Sequence, residues 1–233
     1  MTRRSDPAAT PAAALWDFDG TIVDTEPYWM AAETDLIAGY GATWSHAQAM
    51  QLVGSDLLAS GALIIEQTGI PLTAPEVVEG LLDRVVTRLD LDIPWRPGAR
   101  ELLADMRRLG ISCGLVTMSY QRFVQPVLDA LPEGTFDCVV TGETVTDGKP
   151  HPEAYLTAAR LLGVAPEECI AIEDSPTGAT SALAAGCRVL AVPLHVPISS
   201  RPGMVVAPQL PCDVQTLSEL AGRVRRRSPR PGR

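Results

Sequence analysis

Trp16-Asp17-Phe18-Asp19-Gly20-Thr21 is the stretch that decides how the rest of the chain is read. Residues 12–16 are apolar enough for a strand interior, and Gly20 breaks the run directly afterwards. The strand therefore delivers two carboxylates to its end, and side-chain alternation predicts Asp17 and Asp19 on one face. Burying Asp17 is costly without a compensating cation or hydrogen bonds. Two like charges repel unless a metal ion or a shared proton relieves them. A capped turn after an edge strand is the bland alternative; metal-assisted chemistry is the reading the pair favours.

Working outward, strand-like runs near 12–16, 112–117, 136–141, 169–173 and 188–192 alternate with helical ones. Pro97 opens one helix that Gly110 ends, Pro152 another that Gly163 ends, and Ser175-Pro176 a third that Gly186 ends. This pattern predicts an α/β fold, a parallel sheet with helices on both faces. Ligands in such sheets bind beyond the carboxyl ends of the strands. Asp17, Thr117 and Asp174 all fall there, so three distant segments converge on one crevice.

The interval 25–95 breaks the alternation. Helical patterns over 27–37, 45–53, 55–68 and 74–91 predict an all-helical insertion, and Thr73 with Glu76 has capping-box spacing. The expected division is a core over 12–24 and 96–221, the insertion over 25–95, and disordered ends at 1–11 and 222–233. Hinges are expected at 24–27 and 94–98.

The 233 residues suit one domain with a substantial insertion, and no apolar run is long enough to span a bilayer. A soluble cytoplasmic protein is expected. The five cysteines have no CxxC spacing, which favours reduced thiols over a disulfide or zinc site. Six arginines and no acid fall in 221–233, leaving −15 for residues 1–220 against −9 for the whole chain. That balance argues against a nucleic-acid partner for the folded part, and the basic tail reads as a solvated segment. Of the 19 basic residues, only Lys149 is lysine. A chain that otherwise uses arginine places its single compact ammonium where a point charge is needed.

Asp17-Phe18-Asp19-Gly20-Thr21-Ile22-Val23-Asp24-Thr25-Glu26 resembles the first motif of the haloacid dehalogenase superfamily, in its helical-cap phosphatase branch. Leu115-Val116-Thr117-Met118-Ser119, Gly148-Lys149-Pro150-His151-Pro152-Glu153 and Ile172-Glu173-Asp174-Ser175-Pro176-Thr177-Gly178 match the later motifs in order. The resemblance implies a Rossmann-like core with an inserted helical cap. It implies that Asp17 is the nucleophile and that Asp19 is the general acid and base, its carbonyl also binding metal. It further implies that Thr117, with Met118, Ser119 and nearby amides, holds a phosphoryl oxygen, and that Lys149 neutralises charge. Asp174 would coordinate Mg²⁺ beside Asp17 and Asp19, with Glu173 a ligand directly or through water. Mg²⁺ suits hard oxygen ligands that leave room for water.

The same resemblance separates branches. Asp19 and the Glu173-Asp174 pair argue against a dehalogenase, and the lysine-free insertion argues against a phosphonatase. A sugar-phosphate mutase of the beta-phosphoglucomutase type is the alternative, but its hinge histidine is replaced by Trp29, and Gly54-Ser55-Asp56-Leu57 lacks its arginine. A phosphatase is expected, acting as a monomer on a small phosphorylated metabolite without a membrane partner. Trp29, beside Tyr28, and Gly54 are the substrate-choosing candidates, although an aromatic there also packs a cap. His46, His151 and His195 read as structural, with His151 shaping its loop and capping the helix after Pro152.

Overall fold

The computed structural model describes residues 10–52 and 56–227. In chain order its elements are β1 (Ala13–Trp16), α1 (Glu26–Gly39), α2 (His46–Ala49), α3 (Leu57–Thr68), α4 (Ala74–Leu91) and α5 (Ala99–Arg108). There follow β2 (Ser112–Val116), α6 (Gln121–Asp129), β3 (Cys138–Val140), α7 (Glu153–Leu162) and β4 (Cys169–Glu173). The last are α8 (Pro176–Ala184), β5 (Arg188–Ala191), β6 (Met204–Val206) and α9 (Val214–Arg227). The chain divides into two units. An α/β unit takes the chain up to Val23, Trp95–Gln121 and everything from Asp129; a helical unit takes Asp24–Pro94 together with Arg122–Leu128.

In the α/β unit all six strands are parallel, in the order β3-β2-β1-β4-β5-β6. β1 lies between β2 and β4, so the strand leading to Asp17 is central and buried along its whole length. Alternation sends Ala13 and Leu15 into a cluster with Ala154, Tyr155 and Ala158 of α7 and Ala179 and Ala182 of α8. The many alanines let these helices lie close to the sheet. On the other face Cys113, level with Ala14, meets Met106 of α5.

β6, α6 and α9 depart from the sequence expectation. β6 is only three residues long, follows a Pro-Gly turn and pairs with β5. α6 carries Pro126 inside it, which hides the helix from a periodicity reading. α9 runs to Arg227, correcting the disorder expected from 222. Its start is fixed by the Val214 N–H on Asp105 Oδ2 (2.9 Å), the Thr216 N–H on Asp213 Oδ1 (2.7 Å) and a fully buried Leu217. Those anchors carry the helix into the arginine-rich segment. Residues 1–9 and 228–233, also expected to be disordered, lie outside the described residues.

Within the helical unit α4 packs on α1 and α3. Glu76 takes the Thr73 N–H and hydroxyl at 2.7 Å each, the expected capping box. Asp56 caps α3 through the Leu58 and Ala59 N–H groups, both at 3.0 Å. α2 is a single turn, shorter than the expected 45–53, with a Ser45–Gln48 capping box at its start. Arg122 of α6 pairs with Glu79 (2.9 Å) and Asp83 of α4. Glu33 of α1 is buried and accepts the Trp44 Nε1–H (2.9 Å). Burial pushes its pKa up to about 7, against the pull of that donor. No helix among the described residues is long and apolar enough to cross a membrane. The cysteines are free, with Cys113, Cys169 and Cys187 buried.

Candidate active site

The parallel register sets the site. Trp16 lies level with Leu115 on one side and Ile172 on the other. The Asp17 N–H continues the ladder to Ile172 O (3.0 Å), and the Thr117 N–H reaches Val140 O (2.9 Å). Asp17, Thr117 and Glu173 therefore emerge side by side at the strand ends. Asp17 continues the alternation of Ala13 and Leu15, and Glu173 that of Cys169 and Ala171. Both carboxylates point toward the layer that contains α7.

Asp19 is positioned differently from the sequence expectation. β1 ends at Trp16, so alternation does not reach it. Instead Phe18 O accepts the N–H groups of Thr21, Ile22 and Val23, the Gly20 N–H reaches Val23 O (2.7 Å), and Asp19 bridges Val23. Gly20 adopts a positive φ of 84°, and a Cβ there would overlap the Asp174 carboxylate. Buried Arg96 donates to Gly20 O and fixes this turn from below. Arg96 has no motif in the sequence reading; only the fold reveals it.

Lys149 joins the distant parts. Its Nζ donates to Asp17 Oδ1 (2.6 Å), Glu173 Oε1 (2.7 Å) and Val116 O (2.9 Å), which uses all three ammonium protons. Burial opposes this charge, but the two carboxylates outweigh it and raise the lysine pKa, so Lys149 is held protonated. Its loop is braced by Met118, whose sulfur accepts the Lys149 N–H (3.3 Å), and the Ser119 N–H donates to Thr117 Oγ1 (3.0 Å).

The two motif acids at the end of β4 differ. Glu173 Oε1 accepts from Lys149 and from the Tyr155 hydroxyl (2.8 Å), while Oε2 accepts from Ser175 Oγ (3.1 Å) and N (3.3 Å). The Asp174 carboxylate meets no hydrogen-bond donor among the described residues. Burial raises its pKa, and Asp17, Glu173 and Asp19 push it further up. Burial followed by Glu173 also raises Asp17, while Lys149 pulls it down. Oxygens of Asp17, Glu173 and Asp174 lie within 4.8 Å of one another. Three acids and one ammonium leave surplus negative charge in a desolvated place, which a hard divalent cation fits.

The other candidates fall elsewhere. Trp29 belongs to the helical unit, half-buried with its ring 5.1 Å from that of Phe123. Gly54 lies outside the described residues. His46 and His195 are exposed. His151 does not cap α7; the N-cap position is Pro152, whose side chain has no acceptor for the N–H groups of the first turn. Its carbonyl instead accepts from Ser181 Oγ (2.6 Å). Glu153 closes the loop by accepting the Thr146 and Asp147 N–H groups, both at 2.8 Å. Tyr155 was not foreseen as a site residue, since a tyrosine in an amphipathic helix carries no signal beyond core.

Comparison with known proteins agrees with this geometry. The family described as "Haloacid dehalogenase-like hydrolase" matches residues 14–192. Hexitol phosphatase B of Escherichia coli (strain K12) is 33% identical over 186 residues, 78% of this chain and 83% of that protein. The phosphorylated carbohydrates phosphatase of Thermotoga maritima is 30% identical over 187 residues, 75% of this chain and 81% of its own. The crystal structure of CbbY from Rhodobacter sphaeroides in complex with phosphate superposes with a TM-score of 0.76 at 26% identity, covering 85% of this chain and 94% of that one. The chain belongs to the haloacid dehalogenase-like hydrolases.

Proposed function

We propose that the protein is a Mg²⁺-dependent phosphatase that hydrolyses a small phosphomonoester through an aspartyl phosphate on Asp17. The observation that carries this reading is the buried Lys149 ammonium, held 2.6 Å from Asp17 Oδ1 beside the acids of β4. Asp17 attacks phosphorus with the carboxylate oxygen that Lys149 does not hold. Asp19 protonates the departing alcohol and then takes a proton from the water that cleaves the acyl phosphate. Thr117 and the Met118 amide receive a non-bridging oxygen, the Ser119 N–H being held by Thr117 Oγ1 (3.0 Å), and Lys149 balances the charge that builds there. Asp17, the Asp19 carbonyl and Asp174 would hold the Mg²⁺. Bound there, the cation lets an anionic nucleophile approach an anionic ester and stabilises the transferring group.

Water is the acceptor in this reading because Gly54-Ser55-Asp56-Leu57 lacks the arginine with which a mutase clamps a second phosphate, and the chain has no lysine other than Lys149. The relatives named for hexitol and carbohydrate phosphates support a polyol or sugar phosphate as substrate. Trp29 and Gly54 are the residues to vary for substrate choice, although the Phe123 contact favours a packing role for Trp29. Phosphate release from a panel of hexitol, sugar and glycolate phosphates, with Mg²⁺ and with EDTA, tests the reading. Mg²⁺-dependent release from at least one is expected; undiminished turnover after exhaustive metal removal sinks it.

A further inference from the structure

We propose that Tyr155 is a positioning residue for phosphoryl transfer: its hydroxyl aims Glu173, and Glu173 serves as the anchor of Lys149 instead of as a direct metal ligand. The proposal rests on the phosphatase reading above and deepens it.

A carboxylate offers about four acceptor directions, and Glu173 has four donors, two on each oxygen. None of these directions is left for a cation. The side chain is fully buried and lies against the first turn of α8, where a Cβ on Gly178 would overlap it. Glycine there admits the carboxylate to the helix N-terminus, where Ser175 both caps the Gly178 N–H (3.0 Å) and donates to Oε2. Asp174, one residue on, has the opposite character, with no donor among the described residues. Adjacent acids have thus separated into an anchor and a ligand.

Tyr155 completes the anchor. It is fully buried, its ring belongs to the core cluster under β1, and its hydroxyl donates to Glu173 Oε1 at 2.8 Å. Packing alone does not require that oxygen; phenylalanine would fill the same space without desolvating a hydroxyl. Lys149 Nζ sits on the same Oε1 and 5.1 Å from the Tyr155 ring centroid. Two donors converging on one oxygen fix where the lysine's partner lies. Because the three ammonium protons are all committed, a shift of Oε1 moves Nζ relative to Asp17. Charge held in place against the transition state is what catalysis needs, so a small displacement costs rate more than binding.

Tyr155→Phe isolates the hydroxyl, since the ring, its packing and its contact with Lys149 remain. Because Lys149 is the only lysine, ¹³C-lysine labelling yields a single side-chain Cε resonance that reports its surroundings directly. The expected result is a kcat about 10-fold lower, with KM and the Mg²⁺ half-saturation unchanged within about twofold and the Cε resonance displaced. In a Glu173→Gln background the same substitution should cost less than about twofold, since Tyr155 acts through Glu173. An unchanged kcat with an unmoved resonance overturns the proposal. So does a Mg²⁺ half-saturation that rises with the loss of kcat, which would put Glu173 on the metal, or an equal loss in both backgrounds. Absence of turnover in the unmodified protein strikes the phosphatase reading alone. The lysine resonance then still decides the role of Tyr155: displaced by Tyr155→Phe it supports the anchor, unmoved it removes it.

Discussion

Glu173 in the α/β unit and Glu33 in the helical unit are both buried acids, and their surroundings differ in kind. Glu173 faces an ammonium, a phenol and the first turn of a helix. Glu33 has, among the described residues, one neutral indole donor, and burial, with a smaller push from the Glu26 charge, raises it to about 7. Burial costs a carboxylate least where cations and several donors replace water; a lone neutral donor leaves its charged form poorly solvated. The α/β unit therefore spends folding energy on placing charge where chemistry needs it. The helical unit tolerates one acid inside an otherwise apolar pack.

The sharpest way to break the contrast is at Asp17. Asp17→Asn removes the attacking oxygen, and turnover together with phosphoenzyme formation should fall by roughly 10⁴-fold or more. Acid-quench trapping with labelled substrate measures both. A variant that still accumulates phosphoenzyme would falsify the assignment.

Next in size is Lys149→Arg. A planar guanidinium cannot place one nitrogen against Asp17, Glu173 and Val116 O together, so kcat should drop by about 10²-fold while the fold survives. Circular dichroism and steady-state kinetics decide it. A folded, fully active variant would return Lys149 to the ordinary loop charges.

A smaller effect is expected on stability. Asp17 and Asp174 have pKa values raised above the carboxylate range in the metal-free fold. The folded chain then keeps protons that the unfolded chain has released, so stability falls as pH rises through these values. In EDTA the melting temperature should decline between pH 5 and pH 8, at roughly 2–4 °C for each kcal/mol lost in a chain of this size. Mg²⁺ at pH 8 should restore it by binding only the folded form. A melting temperature that rises with pH in EDTA, or ignores Mg²⁺, contradicts the surplus of buried negative charge.

The smallest effect belongs to Glu33, whose raised pKa adds a decline of the same sign that Mg²⁺ cannot repair. With Mg²⁺ saturating, Glu33→Gln should flatten the remaining slope between pH 6 and pH 8, by about the same few degrees or less. Parallel slopes for the two proteins would show that Glu33 is paired better than its single indole contact implies.

How much of this was legible beforehand depended on how local each signal is. The capping box at Thr73–Glu76, the glycine-ended helices and strands β1 to β5 follow from neighbours a few residues apart. β6 and α6 were not legible, because β6 shows only Met-Val-Val after a Pro-Gly turn, without the longer apolar run that marks β3, and Pro126 contradicts the helix that contains it. α9 was misjudged where composition outweighed anchoring: arginines suggested a solvated tail, while Asp105, distant in sequence, fixed the start of the helix. Asp19 was singled out on an alternation that the chain does not use there, since the turn at Gly20 positions it.

By itself the sequence determined the order of strands and helices, the strand-end placement of Asp17, Thr117 and Asp174, and the special status of the sole lysine. These are properties of period, punctuation and composition. Only the tertiary structure decided how the charges divide: that Lys149 spans Asp17 and Glu173, that Tyr155 and Ser175 occupy the rest of Glu173, and that Asp174 is left without a donor among the described residues. Adjacent acids look alike in a sequence. Their difference comes from which neighbours the parallel register and the α7 and α8 packing bring within hydrogen-bond reach, and those neighbours lie up to 24 residues away along the chain.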